Sequence, residues 1–366
     1  MPSNRDHPTE AEQELARLRQ AIDALDDRLL ELLTERATLA RRIGHLKPPG
    51  APLYRPDREA YILRRLSERD AAPLPRSAVV SIFREIISQC LALEQALTIA
   101  YLGPEGTYSH AAAVKHFGSA PRYEPCPTID EAFRAVEAGH AHYAVVPVVN
   151  STEGFVGRTL DLVIASPLRV CAEIELRIAH NLLTHEPTLA TVDRVFAHSQ
   201  SLGQTAGWLA RHLPHAERVP VSSNGEAARL AAKTPRSAAI AGELAAQHHQ
   251  VPILVRGIED SPNNTTRFWV LGQEEVGPSG VDKTSLILSA PNRAGALVDL
   301  LEPLKRHGVS MTHLESRPSP DRLWEYYFFV DIEGHARDPR VAAALEDVRA
   351  QAAYLKVIGS YPRAVA

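Results

Sequence analysis

The feature that most constrains this chain is an apolar stripe near its N-terminus. Leu15, Leu18, Ile22, Leu25, Leu29, Leu32, Leu39, Ile43 and Leu46 recur at alternating spacings of three and four. Pro48, Pro49 and Gly50 close the run, so the spacing predicts one helix from about Glu10 to Leu46. At about 1.5 Å per residue this helix is more than about 50 Å long, too long for a compact monomeric unit to cover. Shorter helices are predicted near 57–69 and over 77–97, separated by AAPLPRS. An all-α unit of this shape buries its stripe most simply against a second copy, so residues 1–97 are expected to form an intertwined helical dimer.

The pattern changes at Thr98. TIAYLG, HYAVVPVV, RVCAEIELRI, RVFAH, AAIAG and RFWVLG are strand candidates separated by helical stretches such as GEAARLAAK. Their alternation predicts a mostly parallel α/β domain over 98–276. The polar, glycine-rich segment from Gly272 to Lys283 reads as a linker. Beyond it, residues 281–366 give the order βαββαβ of a small α+β, ferredoxin-like module. A net charge of -4 gives no support to nucleic acid as a partner. No apolar run approaches the roughly 18 residues of a membrane span, and the N-terminus has no signal-like apolar segment. Cys90, Cys126 and Cys171 are widely spaced, which fits a cytoplasmic protein. The pairs His140/His142 and His248/His249 lack metal-ligand spacing, so no metal is expected.

One residue breaks the stripe. Counting on from Leu32, the next position is Arg36, and a buried guanidinium is costly unless an anion satisfies it. Lys47 lies three turns further on nearly the same face. Arg19, 17 residues before Arg36, is about 25 Å away along a straight helix, so both can grip one small ligand only if Arg19 comes from another subunit. LRQAIDALDDRLLELLTERATLARRIGHLK, YRPDREA and IFREIISQCLALEQAL resemble the all-helical chorismate mutase family. The resemblance implies that Arg19 of a partner and Arg36 bind the two carboxylates of chorismate. It further implies that Lys47 donates to the ether oxygen, Arg58 lines the site and Glu59 holds the ring hydroxyl. Cys90 and Glu94 stand where many members have Ser and Gln, and Glu94 could donate to the ether oxygen only when protonated. The rearrangement to prephenate then rests on orientation and electrostatics, with no cofactor.

YLGPEGTYSHAAA is a strand, a turn and a helix start capped by Thr107 or Ser109, and it lacks the spacing of a dinucleotide site. With VVPVVNSTEG, HSQSLGQTAGWL and NNTTRFWVLG it resembles prephenate dehydratase, a fold of two α/β subdomains like periplasmic binding proteins. By that resemblance Thr266 orients or relays a proton to the departing ring hydroxyl. Thr107, Asn150, Ser151, Gln204 and Arg267 would position prephenate. Val149 and Ala197 depart from the family pattern of Glu and Ser.

GALVDLLEPL and HLESRP resemble the ACT regulatory domain of phenylalanine-controlled enzymes. Gly295, Ala296 and Leu297 with Glu315 and Ser316 would then bind phenylalanine across a dimer interface. The order of the three resemblances is that of bifunctional chorismate mutase/prephenate dehydratases, as a homodimer that could pair into a tetramer. The alternatives are a dehydratase with a degenerate helical arm, and a non-enzymatic sensor of aromatic ligands.

Overall fold

The structure, a computed structural model, describes residues 9–48, 52, 54–291, 293–318 and 326–365. Three helices come first: α1 (Glu10–Leu46), α2 (Pro56–Ser67) and α3 (Arg76–Ala92). Thr9 starts α1 through a capping box, its hydroxyl accepting from Glu12 N while the Glu12 carboxylate accepts from Thr9 N. The apolar stripe lies open: Leu15, Leu18, Ile22, Leu25, Leu29, Leu32, Leu39 and Ile43 are each 48–58% exposed. A different face of α1 meets α3. Arg36, Ala37, Ala40, Gly44 and Lys47 are half-buried there. A Cβ at Gly44 would stand 2.8 Å from Glu94 Cγ, so the small residues admit the second helix. α3 ends at Ala92, short of the expected Leu97, because Leu97 turns into the core of the next domain.

That domain begins with β1 (Thr98–Leu102), α4 (Tyr108–Phe117), β2 (Arg122–Cys126), α5 (Ile129–Glu137), β3 (Tyr143–Asn150), β4 (Gly154–Phe155), α6 (Gly157–Ala165) and β5 (Arg169–Arg177). The chain then crosses into a second subdomain. It holds β6 (Asn181–Leu183), β7 (Arg194–His198), α7 (Ser199–Gln204), α8 (Ala206–His212), β8 (Glu217–Val221), α9 (Asn224–Ala231), β9 (Ser237–Ala241), α10 (Glu243–His249) and β10 (Ile253–Val255). A second crossing brings β11 (Thr265–Gly272) back into the first sheet. The sheets run β2-β1-β3-β11-β5, with β4 beside β3, and β10-β6-β9-β7-β8. Both are mixed, not mostly parallel as expected. β11 returns from the other subdomain and is antiparallel to both β3 and β5. β6 is antiparallel to β9 and β10. Strands such as β2, with three of five residues half-buried or exposed polar groups (Arg122, Tyr123, Glu124), carry too weak an alternation to read from sequence.

The third domain is β12 (Asp282–Ser289), α11 (Ala296–Arg306), β13 (Met311–Pro318), β14 (Tyr326–Glu333), α12 (Pro339–Gln351) and β15 (Tyr354–Pro362), with sheet order β13-β14-β12-β15. One face of this sheet shares a core with α11 and α12. The other does not face solvent. Ile287, Phe329, Ile358 and Tyr361 join Val170, Trp269 and Leu271 of the first sheet in one apolar core. The segment expected to be a linker is accordingly tied down: Val276 is buried, and its carbonyl lies 3.0 Å from His335 Nε2.

The two sheets touch backbone to backbone at Gly359, where an added Cβ would stand 2.2 Å from the Val170 carbonyl oxygen. Gly359→Ala must push the sheets apart, an overpacking that costs about 1–3 kcal/mol. We expect a lower Tm in calorimetry of the full chain. An unchanged Tm would show that the sheets have room to slide.

Candidate active sites

Two cross-helix pairs mark the helical site. Arg36 Nη1 donates to Cys90 Sγ at 2.8 Å, and Lys47 Nζ to Glu94 Oε2 at 2.8 Å. Arg36 and Lys47 lie three turns apart on α1, and Cys90 and Glu94 one turn apart on α3, so the pairs stack along one seam. In this arrangement Glu94 accepts from Lys47 and is not the donor its alignment with Gln required. Lys47 and Glu94 line a cavity of about 400 Å³ with Gly44, His142 and Tyr143. Arg19 is exposed, far up α1, and the structure does not bring it to this seam. Arg58 lies over the Tyr61 ring, 5.2 Å from its centre.

Glu59, too, lies apart from this seam in the single chain. α2 turns Pro56, Ala60 and Leu63 inward, and Glu59 shares that buried face. Its Oε1 is 3.8 Å from Arg84 Nε, and it lines a separate cavity of about 290 Å³ between α2 and β5. Burial pushes its carboxyl up to about 7, with Arg84 pulling the other way.

The second site forms where the chain crosses between subdomains. Thr266 opens β11 just after one crossing, and His180 lies in the other. Asn150, at the end of β3 and paired with Thr266 in register, donates from Nδ2 to Thr266 Oγ1 at 2.8 Å and to Asn264 Oδ1 at 2.7 Å. Its Oδ1 accepts from the backbone amides of Thr152 and Glu153, so the side chain is fully committed. Asn264 Nδ2 reaches Gln204 Oε1 at 3.0 Å, and Gln204 Nε2 reaches Glu153 Oε1 at 3.2 Å. Gln204 thereby spans the cleft from α7. His180 Nε2 lies 2.8 Å from Gln204 Oε1, and its Nδ1 lies 2.8 Å from Tyr108 OH. Burial lowers the His180 pKa, so the ring is neutral at neutral pH. The Gln204 carbonyl can only accept, so it calls for the His180 Nε2–H tautomer, and the single Tyr108 hydroxyl proton is shared between Nδ1 and Ala179 O, 2.9 Å away. Ser151 Oγ accepts from Thr265 N at 3.0 Å and locks the strand entry.

Two residues expected in this cleft have other duties. Thr107 is the N-cap of α4: its hydroxyl donates to Leu102 O and accepts from His110 N. Arg267 points to the opposite face of β11 from Thr266, because side chains alternate along a strand. Its guanidinium pairs with Asp331 of β14 and lies 3.7 Å from Glu173 of β5. Ala197 is fully buried in the second subdomain. Sequence reading missed Asn264, His180, Tyr108 and Glu153. Asn264 sits directly before Thr-Thr-Arg-Phe and was legible by position, whereas a lone His180 carried no signal.

In the third domain Gly295 takes a left-handed conformation, φ +80°, as the N-cap of α11, followed by Ala296 and Leu297. Glu315 and Ser316 lie on β13, paired with Phe329 and Phe328. Arg317 follows them on β13. It leaves the module and grips Asp161 of α6 with two nitrogens, at 3.1 and 3.2 Å.

Three family models match the chain in sequence: chorismate mutase type II over 18–95, prephenate dehydratase over 99–276 and the ACT domain over 284–350. A bifunctional chorismate mutase/prephenate dehydratase of Neisseria gonorrhoeae is 54% identical over 350 residues, covering 95% of this chain and 96% of that protein. The chain belongs to the bifunctional chorismate mutase/prephenate dehydratase family. A Pseudomonas aeruginosa member of the family is 47% identical over 359 residues, 96% of this chain and 98% of its own. The prephenate dehydratase of Arthrobacter aurescens, solved in complex with L-Phe, is 33% identical with a TM-score of 0.67, over 73% of this chain and 90% of that one. The bifunctional enzyme thus joins a mutase and a dehydratase to an ACT module, the organisation of phenylalanine biosynthesis under feedback regulation. Neither a lone dehydratase nor a non-enzymatic sensor has that organisation.

In the dehydratase the Thr266 hydroxyl accepts from Asn150, which leaves its own proton to point at a substrate. Thr266→Ala should lower dehydratase kcat at least about tenfold, or about 1.4 kcal/mol of transition-state stabilisation. Mutase turnover of the same preparation should not change. An undiminished dehydratase would show that the proton comes from elsewhere.

Glu59 gives a pH test. A folded-state carboxyl at about 7 against an ordinary 4.5 contributes stability below pH 4.5 that is lost as pH rises through 7. Glu59→Gln should remove that slope, so its Tm relative to wild type should be higher at pH 8 than at pH 5. Parallel Tm–pH curves would contradict the burial of this carboxyl.

Proposed function

We propose that the chorismate mutase site is completed across two subunits. Arg36 and the Arg19 of a second copy bind the two carboxylates of chorismate, Lys47 donates to the ether oxygen, and Arg58, Cys90 and Glu94 close the site. The observation that carries this reading is the half-exposed stripe of α1, which has no cover within the described chain and runs beside the Arg36–Lys47 seam. Burying it against a second α1 covers the stripe and delivers Arg19. The assembly is then a homodimer, able to pair into a tetramer.

In the dehydratase cleft, Ser151 and Gln204 position prephenate, Asn150 does so through the Thr266 hydroxyl it holds, and Thr266 passes a proton to the departing hydroxyl, with aromatisation driving loss of carbon dioxide. Thr107 shapes the cleft through its cap. Phenylalanine is the effector, bound by Gly295, Ala296, Leu297, Glu315 and Ser316 where two ACT modules meet. The functional units are 1–97, 98–276 and 281–366, acting in the cytoplasm on small molecules without a cofactor.

Mixing tests the shared site. Arg19→Ala and Arg36→Ala chains should each lack mutase activity and keep the dehydratase. After random reassortment they should recover up to about a quarter of wild-type mutase activity, because each heterodimer rebuilds one of its two sites. Purified heterodimers with no recovery would overturn the intersubunit site.

A further inference from the structure

Four charged side chains are buried together between the dehydratase and ACT sheets. Arg267 of β11 pairs with Asp331 of β14, and Lys283 of β12 donates to Glu173 of β5 at 2.6 Å. Arg267 Nη1 is also 3.7 Å from the Glu173 carboxylate, which joins the pairs. Their side chains are 2–11% exposed. Two cations and two carboxylates balance to zero. Ser285 donates to Asp331, and its oxygen lies 2.6 Å from Tyr361 OH. The cluster takes one cation and one anion from each domain, and its two closest pairs both cross between the domains.

A buried ionic cluster is a poor source of stability, since apolar residues of similar volume do as well or better. What it supplies is register: removing or displacing one member strands its partner's charge. The register held here is that of the catalytic strand. Arg267 follows Thr266 directly on β11, so a shift of the strand at Arg267 reaches the threonine through their shared peptide. On the other side, Asp331 is two residues along β14 from Phe329, the register partner of Glu315. That is a distance of about 7 Å along the strand.

We propose that the Arg267–Asp331 and Lys283–Glu173 pairs form a latch through which the ACT module sets the position of Thr266. Arg267 is then a positioning residue for dehydration, and the latch is the route of phenylalanine inhibition. The inference rests on the reading that phenylalanine binds the ACT module.

The test uses the full-length enzyme and Asp331→Asn, with Ser285→Ala as a milder variant that keeps all four charges. Phenylalanine binding is read by calorimetry, dehydratase kcat and KM with and without phenylalanine, and mutase turnover as a control for folding. We expect unchanged mutase turnover and phenylalanine Kd within about threefold of wild type. We expect the inhibition factor to fall at least about tenfold in Asp331→Asn and about threefold in Ser285→Ala, because only the coupling is removed. If Asp331→Asn does not fold, the loss of coupling in Ser285→Ala decides. A merely structural role would change Tm and leave the ratio of inhibited to free rates intact. Variants that bind phenylalanine and are inhibited as strongly as wild type would overturn the latch while the effector reading stands. A wild-type enzyme that binds no phenylalanine would overturn the effector reading, and the latch as its route falls with it.

Discussion

The insertion of β11 between β3 and β5 holds the dehydratase and its neighbours together. The strand arrives from the second subdomain and is zipped into the first sheet on both edges. Its two faces then serve different domains. Phe268 and Val270 enter the core shared with Tyr54 and Phe117, while Trp269 and Leu271 enter the core shared with the ACT sheet. The polar residues at its start follow the same alternation, Thr266 toward Asn150 and Arg267 toward Asp331. One strand therefore carries a catalytic hydroxyl on one side and a domain-joining cation on the other, as its period of two requires.

The same strand explains why the cleft network lies where it does. A domain made of two subdomains joined by two crossings has its polar residues converge at the crossings. There the two crossing backbones pair with each other, Ile178 N donating to Asn264 O and Ile258 N to His180 O, each at 2.8 Å. Asn264, Asn150, Gln204, His180 and Tyr108 then link to one another side chain to side chain across this junction. A neutral His180 in that chain holds a proton arrangement in place and donates no net charge to the cleft.

The helical unit sits at the other energetic extreme. α1 meets its own α3 through small residues and two polar pairs, leaving its largest side chains half in water. The unit's contacts to the dehydratase come instead from α3, where Glu85 accepts from Ser119 N and Ser88 Oγ from Ala120 N, and from Tyr54, whose hydroxyl lies 2.8 Å from His116 Nε2. Desolvated groups such as Glu59 and His116 accumulate at that junction because two domains exclude water from both sides.

The sequence by itself determined the three units, the length of α1, and the motifs that carry Arg36, Lys47 and Thr266. Periodicity, breakers and quoted motifs are local properties, and a helix such as Glu10–Leu46 needs no distant partner to be read. Tertiary structure alone decided the mixed order of the sheets, the capture of the segment around Val276, and the company each polar residue keeps. Arg267 and Glu59 stand in motifs that pointed to substrate. The face each occupies was fixed by strand alternation and by which side of α2 meets another domain. His180 and Asn264 join the cleft only because two chain crossings, far apart in sequence, come together in space. A side chain's type is written in one position of the sequence, but its partner is chosen by the packing of many.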